Sequence, residues 1–145
     1  MNWEEIKKSD KAFPKDKIVI TEVEFKEGIR TAWINVGYKN YPYKEFCKTL
    51  GILTVDFEDM NTIHEQEIQL YFQKELNKGF VSHLISRIPT EFGIEMLFYF
   101  ENNELAIKKL NEIYEDKDKL VDFGCQTQED SEWKTIDGMM KRFSK

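Results

Sequence analysis

The chain has 145 residues, 41% of them hydrophobic and 14% aromatic, which is enough to build one core without crosslinks and too aromatic for a disordered segment. No run of about eighteen apolar residues occurs, which excludes a membrane-spanning helix. The net charge of −6 is uneven: residues 1–48 hold ten Lys/Arg against eight Asp/Glu (+2), and residues 49–145 hold eleven against nineteen (−8). An acidic surface argues against nucleic acid and anionic membranes and for a basic protein partner, although it also simply keeps a protein in solution.

The opening Met1-Asn2-Trp3-Glu4-Glu5-Ile6-Lys7-Lys8 lacks the basic-then-apolar order of a secretory signal, so the expected location is cytoplasmic. Trp3 and Ile6 are spaced for one helical face. The β-branched run Ile18–Phe25, the turn Lys26-Glu27-Gly28 and the returning run Ile29–Val36 predict a β-hairpin over 18–36. Gly37 to Lys48 reads as an ordered aromatic loop or short helix. Ile52–Phe57 suits a central strand. Asn61 or Thr62 caps a predicted helix over about 61–78, with Glu65 completing a capping box and Ile68, Phe72 and Leu76 on its apolar face.

Phe80 to Ile88 alternates, which places Ser82, Leu84, Ser86 and Ile88 on one side and Val81, His83, Ile85 and Arg87 on the other. After a turn at Pro89–Gly93, Ile94, Met96, Phe98 and Phe100 face one way and Glu95, Leu97 and Tyr99 the other. Asn102 or Asn103 caps a helix over 103–115, Leu120–Gln126 is a last strand, and Asp130 or Ser131 caps a C-terminal helix over 130–145. Residues 50–127 thus read β-α-β-β-α-β, the order of the ferredoxin-like unit, within a single α+β domain spanning 1–145. Right-handed crossovers put both of its helices on one face of an antiparallel sheet, which the hairpin must extend or cover.

Chemical signatures are sparse. The strand order is shared with RNA-recognition modules, but Gly93-Ile94-Glu95-Met96-Leu97-Phe98-Tyr99-Phe100 puts an acid where phosphate would have to sit. His64-Glu65-Gln66-Glu67 has Ile68 where a zinc-protease helix needs its second histidine, and His64 reads as a solvated first-turn residue. Asp56, Glu58 and Asp59 crowd a strand end without the spacing of a calcium loop. His83 reads as a half-buried or edge histidine. Cys47 and Cys125 form no CxxC pair, a single bridge between them is left open, Cys125 lacks the basic flank of a reactive thiol, and both read as packed, inert thiols. No acyl-transfer, dinucleotide or P-loop motif occurs, so neither a cofactor nor a metal is expected and no catalytic residue can be named.

Arg30-Thr31-Ala32-Trp33-Ile34-Asn35-Val36-Gly37-Tyr38 with Tyr41-Pro42-Tyr43-Lys44, the stretch Gly93–Tyr99, and Glu129-Asp130-Ser131-Glu132-Trp133 together resemble a bacterial family catalogued as domain of unknown function 695. That family favours an arginine near the position held here by Glu95, so the chain departs from it there. Its organisation and acidic-Trp tail are in turn similar to the regulator of ribonuclease E activity, type B. The resemblance implies a protein-binding inhibitor and assigns no catalytic residue.

Two functional expectations result. The first is an inhibitor or immunity-type interaction domain that binds a basic protein through Asp56, Glu58, Asp59, Glu65 and Glu67. The second is a small-molecule-binding or enzymatic domain with a pocket at the 38–44 loop, lined by Tyr38, Tyr41 and Tyr43. Against the second stands the reading of these tyrosines as a plug over the core. The oligomeric state leaves no mark on the sequence.

Overall fold

The computed structural model describes residues 2–56 and 65–143. A six-stranded antiparallel sheet is built from β1 (Ile18–Phe25), β2 (Gly28–Asn35), β3 (Thr49–Asp56), β4 (Ser82–Pro89), β5 (Gly93–Phe100) and β6 (Phe123–Glu129), in the order β1-β2-β4-β5-β3-β6. Four helices accompany it: α1 (Trp3–Lys7), α2 (Glu65–Glu75), α3 (Asn103–Glu115) and α4 (Lys134–Phe143). The fold is therefore α+β, and the hairpin extends the sheet. None of these helices is long and apolar enough to cross a membrane.

One row of directly opposed residues crosses all six strands: Ile20, Trp33, Arg87, Met96, Leu53 and Cys125. Opposed residues share a face, so this row marks one side of the sheet. On that side Leu53, Val55, Ile94, Met96, Phe98 and Phe100 bury themselves under Ile68, Phe72 and Leu76 from α2 and its end, and under Ala106, Leu110 and Ile113 of α3. Both helices thus lie on one face, as the crossover argument expects. Among the described residues no helix lies over the hairpin end of that face, and Ile18 and Ile20 remain 46% and 67% exposed.

The opposite face carries Ile34, Leu50, Ile85, Leu97 and Tyr99, covered by Trp133, Ile136 and Met140 and by Tyr38, Tyr41 and Cys47 of the 36–48 segment. That segment is two 3-10 turns, Val36–Tyr38 and Lys44–Phe46. At the sheet edge Trp3 of α1 donates its indole N–H to Glu101 (2.6 Å), whose other oxygen accepts the Val81 amide.

The local signals work as their chemistry demands. Asn102 caps α3 by accepting from the Leu105 amide. Asp130 accepts from the Lys134 and Thr135 amides at the start of α4. Gly79, at φ 88°, turns the chain after α2. Gly93 lies so close to the Val55 carbonyl that any Cβ there would collide with backbone. The expected start of α2, with Asn61, Thr62 and the capping box, lies outside the described residues, as do Phe57, Glu58, Asp59 and His64.

Candidate functional site

The site begins with an irregularity in β4. Its register against β5 shifts between Leu84 and Ser86, leaving Ile85 as a bulged extra residue. Beyond the bulge the alternation reverses. Arg87, expected on the side of His83 and Ile85, instead stands opposite Met96 and faces α2. There it is only 8% exposed, and its Nη1 donates to Oε1 of Gln69 (2.7 Å) and of Gln66 (3.3 Å).

Glu65 completes the cluster from the first described turn of α2. Its Oε1 accepts from Arg30 Nε (2.9 Å) and Nη2, and its Oε2 stands 3.8 Å from Arg87 Nε, beyond hydrogen-bond range. Every nitrogen of Arg30 is engaged, since it also donates to the carbonyls of Thr90 (2.6 Å) and Gly93. Those of Arg87 are not. Its buried Nε has no hydrogen-bond partner, and its Nη2 makes none among the described residues. Burial pushes its pKa below the ordinary value, with Glu65 pulling it up and Arg30 pushing it down.

Arg87 opens onto a groove of about 720 Å³ between α2 and the uncovered face of the hairpin. One wall is a file of amides, Gln66, Gln69, Gln73 and Asn77, separated by three or four residues and so stacked along one side of α2 and its end. Trp33, Leu84 and Ser82 line it from the sheet, with Thr31, Ile18 and Ile20 from the hairpin, and Phe13, Asp16, Asn35 and Tyr38 contribute to the same lining. Asn77 spends its carbonyl on the Ser82 amide (2.9 Å). Trp33, directly opposite Arg87, sets an aromatic surface beside a cation that is short of acceptors.

The tyrosine loop does different work. Tyr38 and Tyr41 are buried at 3% and 4% exposure, and Tyr43 is half-buried. Tyr38 and Tyr41 flank His83, which is wholly buried rather than at an edge, and Tyr43 packs behind them on Tyr41 and Phe46. Tyr41 gives its hydroxyl proton to the Ala12 carbonyl (2.5 Å), so its oxygen can accept from His83 Nε2 (3.4 Å). His83 Nδ1 then accepts from the Tyr38 hydroxyl (2.9 Å). This closed chain defines a neutral imidazole, and burial pushes its pKa down to about 3. The same burial raises both tyrosines well above the ordinary phenol range. Trp133 completes the cluster, stacked on Tyr99 at 4.0 Å and donating its indole N–H to the Cys47 carbonyl (2.7 Å). Of these residues only Tyr38 also touches the groove.

Neither thiol is activated. Cys47 and Cys125 are both free, and burial pushes them up to about 12 and about 11. The predicted acidic residues are not gathered into one site among the described residues: Asp56 is exposed at the end of β3, Glu67 is exposed on α2, and Glu65 is turned inward onto two arginines. Nor do three His, Cys, Asp or Glu side chains converge in a metal-binding group among the described residues.

Sequence reasoning missed Arg87 because strict alternation assigned it to the other face. The bulge has no glycine to announce it. The available signal was Arg87 itself, a charge in an otherwise apolar or small-residue strand directly before Ile88-Pro89. No family model, curated protein or solved structure matches the chain.

Proposed function

We propose that this chain is a binding domain whose ligand lies in the groove between α2 and the β1–β2 hairpin, bounded by Tyr38 of the tyrosine loop. The carrying observation is the groove's composition: an open, preformed cleft of about 720 Å³ with a file of side-chain amides facing an aromatic and aliphatic strand surface. Such a cleft has the size and chemistry of small-ligand sites, where a few polar groups orient a mostly apolar body. The fold belongs to this reading as a scaffold of ferredoxin-like type. In its favour, β4-β5-β3-β6 are contiguous and antiparallel and α2 and α3 share a face. Widening such a unit by a hairpin, with no helix above it among the described residues, is what leaves the cleft open.

A thermal-shift screen of small organic compounds tests the reading. Compounds that stabilise the protein are expected to lose their effect when Gln73→Trp fills the cleft and Trp33→Ala removes its floor. Stabilisation retained in both variants contradicts it.

The acidic-surface reading, which the resemblance to the unknown-function family and the ribonuclease E regulator suggests, keeps one specific support. Asp56 and Glu67 are both exposed and free of any ion pair seen here. A basic protein partner would be steered by them together with Glu58 and Asp59, and its association rate would fall steeply with salt.

A further inference from the structure

The geometry points to Arg87 as the anchor for a carboxylate, so that the groove takes a monoanionic ligand with an apolar or aromatic body lying on Trp33. This rests on the groove being the binding site and adds the chemical class of what it binds.

Three observations carry it. Arg87 is 92% buried by its 8% exposure, yet its Nε is without a hydrogen-bond partner and Nη2 makes no bond among the described residues. Those two nitrogens form one edge of the planar guanidinium, and their parallel N–H bonds are spaced to meet both oxygens of a carboxylate. The remaining nitrogen, Nη1, is held by Gln66 and Gln69, which fixes the plane, while on the other edge Nε is sealed from solvent with Glu65 Oε2 3.8 Å away and not hydrogen-bonded, so that a ligand reaches this edge from the Nη2 side. A buried arginine oriented from one side and unsatisfied on the other is a preformed receptor.

Charge sets the ligand's valence. Arg30, Arg87 and Glu65 come within ion-pairing range of one another, two cations sharing one carboxylate. Oε1 of Glu65 is committed to Arg30, which holds Oε2 too far from Arg87 to bond it. Among the described residues this trio thus carries one net positive charge, with Asp16 the one acidic side chain in the groove's lining. A carboxylate balances that charge, whereas a phosphate dianion would overshoot it beside Glu65. Next to this cation, Trp33 and the exposed Ile20 offer apolar surface, and Gln69 and Gln73 offer neutral donors and acceptors. The carboxylate can come from a free organic acid or from a peptide C-terminus, which present the same chemistry to Arg87.

Calorimetric titration with matched probes tests the inference: 3-phenylpropionate against 3-phenylpropanamide, and N-acetyl-Gly-Phe with a free against an amidated C-terminus. Each acid is expected to bind about tenfold or more tighter than its amide, as for a charge-assisted hydrogen-bonded pair. The preference should vanish in Arg87→Gln and shrink in Arg87→Lys, which keeps the charge without the planar fork. The matched pairs on the unaltered protein decide the matter even if a variant folds poorly. A preference in only one pair identifies the source, free acid or peptide terminus, and supports the inference for that source. Acid and amide binding equally in both pairs overturns it while leaving the groove as the site. An acid preference unchanged in folded Arg87→Gln overturns the role of Arg87. Absence of binding by either acid overturns the inference, and the compound screen with Gln73→Trp then decides separately whether the groove itself stands.

Discussion

The two faces of the sheet bury polar side chains in opposite ways. On the α4 side, His83, Tyr38, Tyr41, Tyr99 and Trp133 are interlocked, and each finds a partner: the imidazole between two phenols, Tyr41 on Ala12, Tyr99 on Asp130 (2.8 Å) and Trp133 on Cys47. Among the described residues, the neutral hydroxyl of Ser86 is the exception on that face. On the α2 side, Arg87 is also buried but has N–H donors on one edge that find no acceptor among the described residues. A saturated network specifies one packing and resists change. An unsaturated one, opening on a cleft, is a defect in stability terms and an advantage in binding terms. The distinction between core and site here lies in hydrogen-bond saturation, since both regions are aromatic and both hold a buried titratable group.

The largest expected effect is on the saturated face. Trp133→Ala removes a fully buried indole stacked on Tyr99 and is expected to cost about 3–5 kcal/mol in urea unfolding, in line with buried aromatic truncations. A loss below about 1 kcal/mol would mean that this face is not a packed core.

Next comes pH. His83 stays neutral in the folded chain down to about pH 3, whereas an unfolded imidazole takes up its proton near 6.5. The unfolded state therefore binds more protons below 6.5. The stability contributed by neutral His83 is fully present above that value and is lost as pH falls toward 3, at up to about 1.4 kcal/mol per pH unit. Asp130 and Glu75, whose pKa values are lowered, add to the fall only at more acidic pH. Between pH 6.5 and 5.5, before unfolded carboxylates take up protons, the slope is accordingly a His83 effect, and His83→Gln should flatten it there. An unchanged slope in that variant would place a protonated or solvent-exposed imidazole in the fold.

Arg87 sharpens the comparison by its small expected effect. Arg87→Met removes a buried charge that Glu65 approaches without hydrogen-bonding while keeping Arg30, so unliganded stability should change by less than about 1 kcal/mol or rise. Tyr41→Phe, which breaks the saturated chain at Ala12 and His83, should cost about 1–2 kcal/mol. The reverse ranking would make Arg87 structural. Smallest of all is the change at the thiols: with pKa values of about 12 and about 11, Cys47 and Cys125 should alkylate far more slowly than a free thiol at pH 7.5. Labelling of Cys125 at the free rate would break that expectation.

Much of the fold was legible because its signals are local. The turn before Gly28, the Asn102 cap, the alternation along Gly93–Phe100 and the helical spacing in Ala106, Leu110 and Ile113 all need only neighbours a few residues away. The aromatic loop was half legible: its tyrosines read equally as core or as site, and only the hydrogen bonds through His83 decide for core at Tyr41. The candidate site was nearly invisible. It depends on a bulge at Ile85 that reverses one side chain's direction, on Arg30 and Glu65 meeting across 35 positions of sequence, and on a hairpin that no helix among the described residues covers. Each is a tertiary event without a local pattern. Glu65 illustrates the cost, since a residue expected on a partner-facing acidic surface meets two arginines of this chain.

The central claim is that the cleft beside Arg87 binds while the aromatic face only holds the fold. Three indole N–H groups report on it separately: Trp33 lies in the groove, Trp133 in the aromatic core and Trp3 at the sheet edge. Titration of 15N-labelled protein with 3-phenylpropionate is expected to move the Trp33 signal and the side-chain amides of Gln69 and Gln73, with Trp133 and Trp3 unmoved. Movement of Trp133 with a still Trp33 would contradict the claim and put the site in the tyrosine loop.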